Sequence, residues 1–86
     1  MGTATVYERV AAMVVRIFHV EESQVIPKAD WVQLKADPPE VEALFVALGK
    51  EFSIVISPEE ASGLETVGAV VAYIIRAIAE VKTADV

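Results

Sequence analysis

In three places a small polar residue stands three positions ahead of a glutamate at the head of a helix-like run: Thr5-Val6-Tyr7-Glu8, Asp37-Pro38-Pro39-Glu40 and Ser57-Pro58-Glu59-Glu60. This is capping-box spacing, in which the side-chain oxygen and the carboxylate each satisfy a backbone amide that the helix leaves unpaired. In the second and third runs a proline takes the first helical position, where its missing N–H costs nothing and its fixed φ already suits a helix. Pro39 is tolerated for the same reason, because first-turn amides have no partner inside the helix. A chain punctuated in this way is built for helices.

The apolar spacing fills in the rest. Val6, Val10, Met13, Val14 and Ile17 recur at helical intervals and predict a first helix ending near Phe18 or His19, with Arg9 and Arg16 off the stripe. From Glu21 to Asp37 a long connection is broken by Pro27, with Val25, Ile26, Trp31, Val32 and Leu34 as apolar anchors. A loop of that length in a small domain carries its own packing or a function. The second helix starts at Asp37 and turns Val41, Leu44, Phe45, Leu48 and Phe52 inward. The third is short and ends near Gly63, and the fourth runs from Thr66 to about Val81. Its stripe is Val67, Val70, Val71, Ile74, Ile78 and Val81; Ala69, Ala72 and Ala79 lie opposite, with Arg76 and Glu80 spaced as an ion pair. Ile54-Val55-Ile56 resembles a short strand but has no strand to pair with, so a loop is expected there. The predicted class is all-α: a four-helix bundle with three long helices, one short third helix, a long first loop and a frayed tail after Val81.

Composition bounds the function. Eighty-six residues make one small domain with a core of about 5–81. There is no cysteine, which removes disulfides, thiolate catalysis and Cys-based metal sites. The formal net charge of −6 argues against nucleic acid, which needs clustered Lys and Arg, and either suits basic patches on partner proteins or only keeps the protein soluble. The 55% hydrophobic content is high for such a domain and implies a very apolar core or apolar surface kept for a partner. Val46 and Ile75 read either as exposed apolar contacts or as ordinary core-edge packing, the latter preferred for Ile75 and the former for Val46. No membrane span is expected, because the apolar stretch over 67–79 is short and broken by Arg76. Met1-Gly2-Thr3-Ala4-Thr5 lacks a basic start for a secretory signal, so a cytoplasmic setting is the expectation.

Catalysis finds little support. His19 is the only histidine and falls at a helix end, where a cation complements the helix dipole. The carboxylates lack calcium-loop spacing, and Glu21-Glu22 and Glu59-Glu60 read as solvated surface. Gly2, Gly49, Gly63 and Gly68 are isolated, so no phosphate-binding loop is present. The expectation is a protein that is not an enzyme and holds no metal.

Lys35-Ala36-Asp37, the run Glu40-Val41-Glu42-Ala43-Leu44-Phe45-Val46-Ala47-Leu48 and its exit Lys50-Glu51-Phe52 together resemble the second helix of acyl carrier proteins. Tyr7-Glu8-Arg9-Val10 is similar to that family's first helix, and Ser23-Gln24-Val25 with Ala29-Asp30-Trp31 to its long loop, Trp31 standing where phenylalanine is usual. The passage from Phe52 to Ala61, Thr66-Val67 and Val71-Ala72-Tyr73-Ile74 resemble the remainder, so the likeness runs from about Val6 to Ile78. In the family a serine directly after the Asp, usually followed by leucine, carries the 4′-phosphopantetheine arm. Here those places hold Pro38 and Pro39. Proline has no hydroxyl, so the resemblance implies a carrier fold with no phosphopantetheine cofactor.

It also implies what remains. The family docks an acidic second helix onto basic patches of synthases and transferases, which makes Asp37, Pro38, Pro39, Glu40, Glu42, Val46 and Glu51 the candidate docking residues. Ala43 dilutes that face and Gly49-Lys50 interrupts it. Pro38-Pro39 reads either as good helix-start residues left once the serine was lost or as a stiffened docking surface. Three functions stay open. The first is an arm-less carrier-type protein that binds a synthase, ligase or regulator in acyl biosynthesis. The second is a generic interaction module with weak self-association, and the third a noncovalent binder of an acyl chain.

Overall fold

A computed structural model describes residues 5–84, with side chains as far as Ala79. Four α-helices follow in order: α1 (Val6–Phe18), α2 (Pro38–Phe52), α3 (Pro58–Ser62) and α4 (Val67–Ala84), with one 3-10 turn at Glu22–Gln24. No strand occurs among the described residues, only an isolated bridge between Asp30 and Thr66. Residues 54–56 form a loop.

The helix starts form as their sequence dictates. Thr5 Oγ1 accepts from the Glu8 N–H at 3.1 Å while Glu8 Oε1 accepts from the Thr5 N–H at 2.8 Å. Ser57 and Glu60 repeat the exchange at α3, and Thr66 Oγ1 caps α4 by accepting from the Ala69 N–H. α1 ends on His19 and α2 on Ser53, both left-handed with φ of 58° and 56°. Each therefore ends its helix through its backbone, whatever its side chain does.

α1 packs against both α2 and α4. Val10, Val14, Leu44, Leu48, Val67, Val70 and Ile74 are fully buried at the centre of the core. The α1 stripe is rotated slightly from the expected one: Ala11 and Phe18 are buried, whereas Val6, Met13 and Ile17 are only partly so. The expected Arg76–Glu80 pair and the burial of Val81 lie outside the described side chains, and the residues before Thr5 lie outside the described chain. The backbone of α4 continues to Ala84, past the expected end at Val81.

The long loop is sewn onto the bundle. Ala29 O accepts from the Val67 N–H at 3.0 Å and Pro27 O from the Gly68 N–H at 2.9 Å, while the Tyr7 hydroxyl donates to Val25 O at 2.8 Å. Val25, Ala29 and Leu34 are its buried anchors, with Trp31 half-buried. Ile26 and Val32 are not anchors. Extended backbone at Val25 sends neighbouring side chains to opposite sides, so Ile26 turns outward, and Val32 sits exposed on the turn that follows.

The crossing at Gly68 is close. A Cβ there would lie 2.9 Å from Pro27 O and 3.3 Å from Pro27 Cβ, and a backbone oxygen cannot swing aside as a side-chain tip can. Gly68→Ala is expected to destabilise the protein by about 1–3 kcal/mol, the usual cost of overpacking, read as an earlier midpoint in urea with an unchanged slope.

Candidate functional site

The candidate site is the start and outward face of α2. Asp37 is extended, with φ −79° and ψ 154°, and its N–H donates to Glu40 Oε1 at 3.0 Å. Its carbonyl accepts from the N–H groups of Glu40 and Val41 at 2.9 and 3.0 Å. Pro38 and Pro39 occupy the first two helical positions and are exposed. The helix therefore starts soundly with no hydroxyl at its first residue.

Beside this start lies an open, mostly apolar cleft of about 890 Å³. Its α2 wall is Pro38, Val41, Glu42, Phe45, Val46, Gly49 and Lys50, which share one face of the helix. The loop residues Ile54, Val55 and Ile56, with Pro58 and Ala61, form the facing wall, and Trp31 and Ala36 of the long loop also line it. Val46 and Val55 are 58% and 88% exposed, giving the cleft an apolar rim. Gly49 brings the walls together: its carbonyl accepts from the Ile54 N–H at 3.0 Å, and a Cβ on it would meet Ile54 O at 3.0 Å.

Of the residues expected to dock partners, Pro38, Glu42 and Val46 come together along the cleft. Pro39 is exposed at the helix start, and Asp37 and Glu40 are tied into the cap. Glu51 stands apart, its carboxylate paired with the Arg9 guanidinium of α1 at 2.6 Å while Arg9 also stacks 4.4 Å over the Phe52 ring. Ile75 is 52% exposed on α4, so it is surface and not core edge. No residue spacing announces the cleft in advance, because its walls are consecutive segments that only the fold turns to face one another.

The short α3 wall is held by one carboxylate. Glu60 Oε1 accepts from the Tyr73 hydroxyl of α4 at 2.8 Å and from the Ser57 hydroxyl at 3.1 Å. These bonds, that from Tyr73 foremost, hold the Glu60 pKa below the ordinary glutamate value. A lowered folded-state pKa gives stability that is present above the unfolded carboxylate range and lost as pH falls through the folded value. Tyr73→Phe is expected to lose stability at neutral pH and to shrink that acid-side loss, as pH-dependent urea melts would read.

The fold and this site can be set against known proteins. No family model matches the chain. A structure of the acyl carrier protein from Enterococcus faecalis, described for the structural components behind its high thermal stability, superposes with a TM-score of 0.72. The match covers 84% of this chain and 92% of that one, at 36% sequence identity. The chain belongs to the acyl carrier protein family. The first residue of α2 in this acyl carrier protein is Pro38, whose side chain carries no hydroxyl. Elsewhere the Ser57 and Ser62 hydroxyls are engaged locally, Ser57 with Glu60 and Ser62 donating to Glu59 O at 2.8 Å, and Ser53 ends α2. Among the described residues no group of acidic and histidine side chains could hold a metal, and no helix is long and apolar enough to cross a membrane.

Proposed function

We propose that this acyl carrier protein bears no 4′-phosphopantetheine and is not an enzyme. It works in the cytoplasm beside fatty-acid, polyketide or related acyl synthesis by docking onto protein partners. The observation that supports this reading is Pro38 at the first position of α2, inside an intact cap and with no oxygen to esterify. What the helix then offers is its exposed face at Pro39, Glu42 and Val46. A synthase, ligase or regulator with a basic patch fits that face, because Glu42 supplies charge complementarity and Val46 an apolar contact. Titration of the labelled protein with a condensing synthase is expected to shift the Glu42 and Val46 amides most, and Glu42→Lys to weaken binding several-fold. Shifts confined to α4 would overturn the docking surface.

The cleft supports a second reading, noncovalent binding of an acyl chain. Its volume of about 890 Å³ suits a small-molecule site, and its walls are mainly aliphatic and aromatic. A ligand that binds only the folded state raises the melting temperature by mass action. An unchanged melting temperature with saturating fatty acid would count against it.

A further inference from the structure

We infer that the outward face of α2 is a self-pairing surface, on which a second copy of this chain docks antiparallel about a twofold axis at Val46. Pro39, Glu42, Ala43, Val46 and Lys50 are all exposed and recur at three- and four-residue steps, so they form one stripe along the helix. Within it Glu42 stands four residues before Val46 and Lys50 four residues after. Each is displaced from Val46 by about 6 Å along the axis and about 40° around it, in opposite senses. A stripe with opposite charges spaced equally about an apolar centre is complementary to itself turned end for end.

In a twofold contact residue i meets residue j of the other copy, and j meets i. With Val46 against its own counterpart, Glu42 comes level with Lys50 of the second copy, and Lys50 with its Glu42. Both charges are free for this, since neither has an ion-pair partner among the described residues. The neighbouring carboxylates are committed elsewhere, Glu40 to the helix cap and Glu51 to Arg9. The net charge of −6 opposes pairing over most of the surface, but the stripe itself is neutral. The same register sets Ala43 level with Gly49 of the second copy, so small side chains allow an interhelical distance of roughly 8–10 Å. Val46, 58% exposed, and Val55, 88% exposed on the adjoining loop, are apolar surface for the contact to cover. A uniformly basic partner answers Glu42 but sets a like charge against Lys50, whereas a second copy answers both. Self-pairing goes beyond the docking proposal and, using the same face, excludes a docked partner while it lasts. One helix-on-helix contact falls at the small end of interfaces, below about 1,200 Å², so the dimer is weak and depends on concentration.

The test is sedimentation velocity over a concentration series reaching the millimolar range, on the wild-type chain, Glu42→Lys and Lys50→Glu. The wild-type chain is expected to pass from monomer to dimer. Each single reversal turns both attractive pairs into repulsive ones and should weaken the dimer about tenfold or more. An equal mixture of the two variants should dimerise again, because one copy then offers two cations where the other offers two anions. A misfolded variant could not restore the dimer in this way, so the mixture separates lost pairing from lost folding. The chain has no cysteine, so single thiols can be introduced cleanly. Val46→Cys, on the axis, should be cross-linked by a mild oxidant several times faster than Ile75→Cys on α4, which is 52% exposed. A disulfide needs the two Cα atoms within about 7 Å, which the axis alone provides. A wild-type chain that stays monomeric, reversals that leave a dimer intact, a mixture that stays monomeric, or equal cross-linking of the two thiols would each overturn the inference. The docking proposal would stand in all four cases, since it is read from the amide shifts that a synthase causes.

Discussion

Trp31→Ala is expected to lower the stability of the protein by about 3 kcal/mol, the low end for truncating a large aromatic side chain because Trp31 is only half-buried. Its ring meets Phe18 of α1 and Phe45 of α2 edge-on, with centroids 5.7 and 6.3 Å apart. Its Nε1–H donates to Leu64 O at 2.9 Å, in the connection between α3 and α4. One loop residue therefore links the first two helices to the segment before the last. For a domain of this size the loss corresponds to a fall in melting temperature of roughly 12–24 °C, measured by circular dichroism. Trp31→Phe should keep the ring packing, lose the bond to Leu64 and cost about 1 kcal/mol. A fall of only a few degrees for the alanine variant would show that the long loop does not depend on this anchor.

The second large effect is a gain. In Pro38→Ser/Pro39→Leu the residues usual in acyl carrier proteins stand at the start of α2, and the surrounding cap stays intact because Asp37 and Glu40 are untouched. Replacing prolines at positions that accept them costs about 0.4–1 kcal/mol each through the freer unfolded chain, which the fold should survive. With a phosphopantetheinyl transferase and coenzyme A, the double variant is expected to gain one phosphopantetheine as read by intact mass. A folded variant that stays unmodified would mean that the transferase also rejects the rest of the α2 face, where Ala43, Gly49 and Lys50 depart from the acidic pattern of the family.

Local chemistry was the most legible part of the sequence. The cap spacings at Thr5, Asp37 and Ser57 placed three helix starts, and the apolar period of α4 outweighed its β-branched residues because it persists through successive turns. Periodicity finds a stripe but not its bearing, so Phe18 and Ala11 took core places expected of Met13 and Ile17. That choice depends on where α2 and α4 lie. Ile26 and Val32 were unreadable as surface for a related reason, since an apolar residue in a loop turns inward or outward with the backbone. The Arg9–Glu51 pair joins residues 42 positions apart, which no local pattern encodes. Pro38 was readable because its meaning is chemical: it lacks a hydroxyl wherever the helix sits. The cleft beside it was not, being assembled from α2, α3 and two loops.

The most direct measurement is the intact mass of the wild-type chain after incubation with the transferase and coenzyme A, alongside the Pro38→Ser/Pro39→Leu variant. The wild-type mass is expected to stay unchanged while the variant is converted. A gain of one phosphopantetheine on the wild-type chain would contradict the arm-less reading, because an oxygen other than one at position 38 would then be carrying the arm.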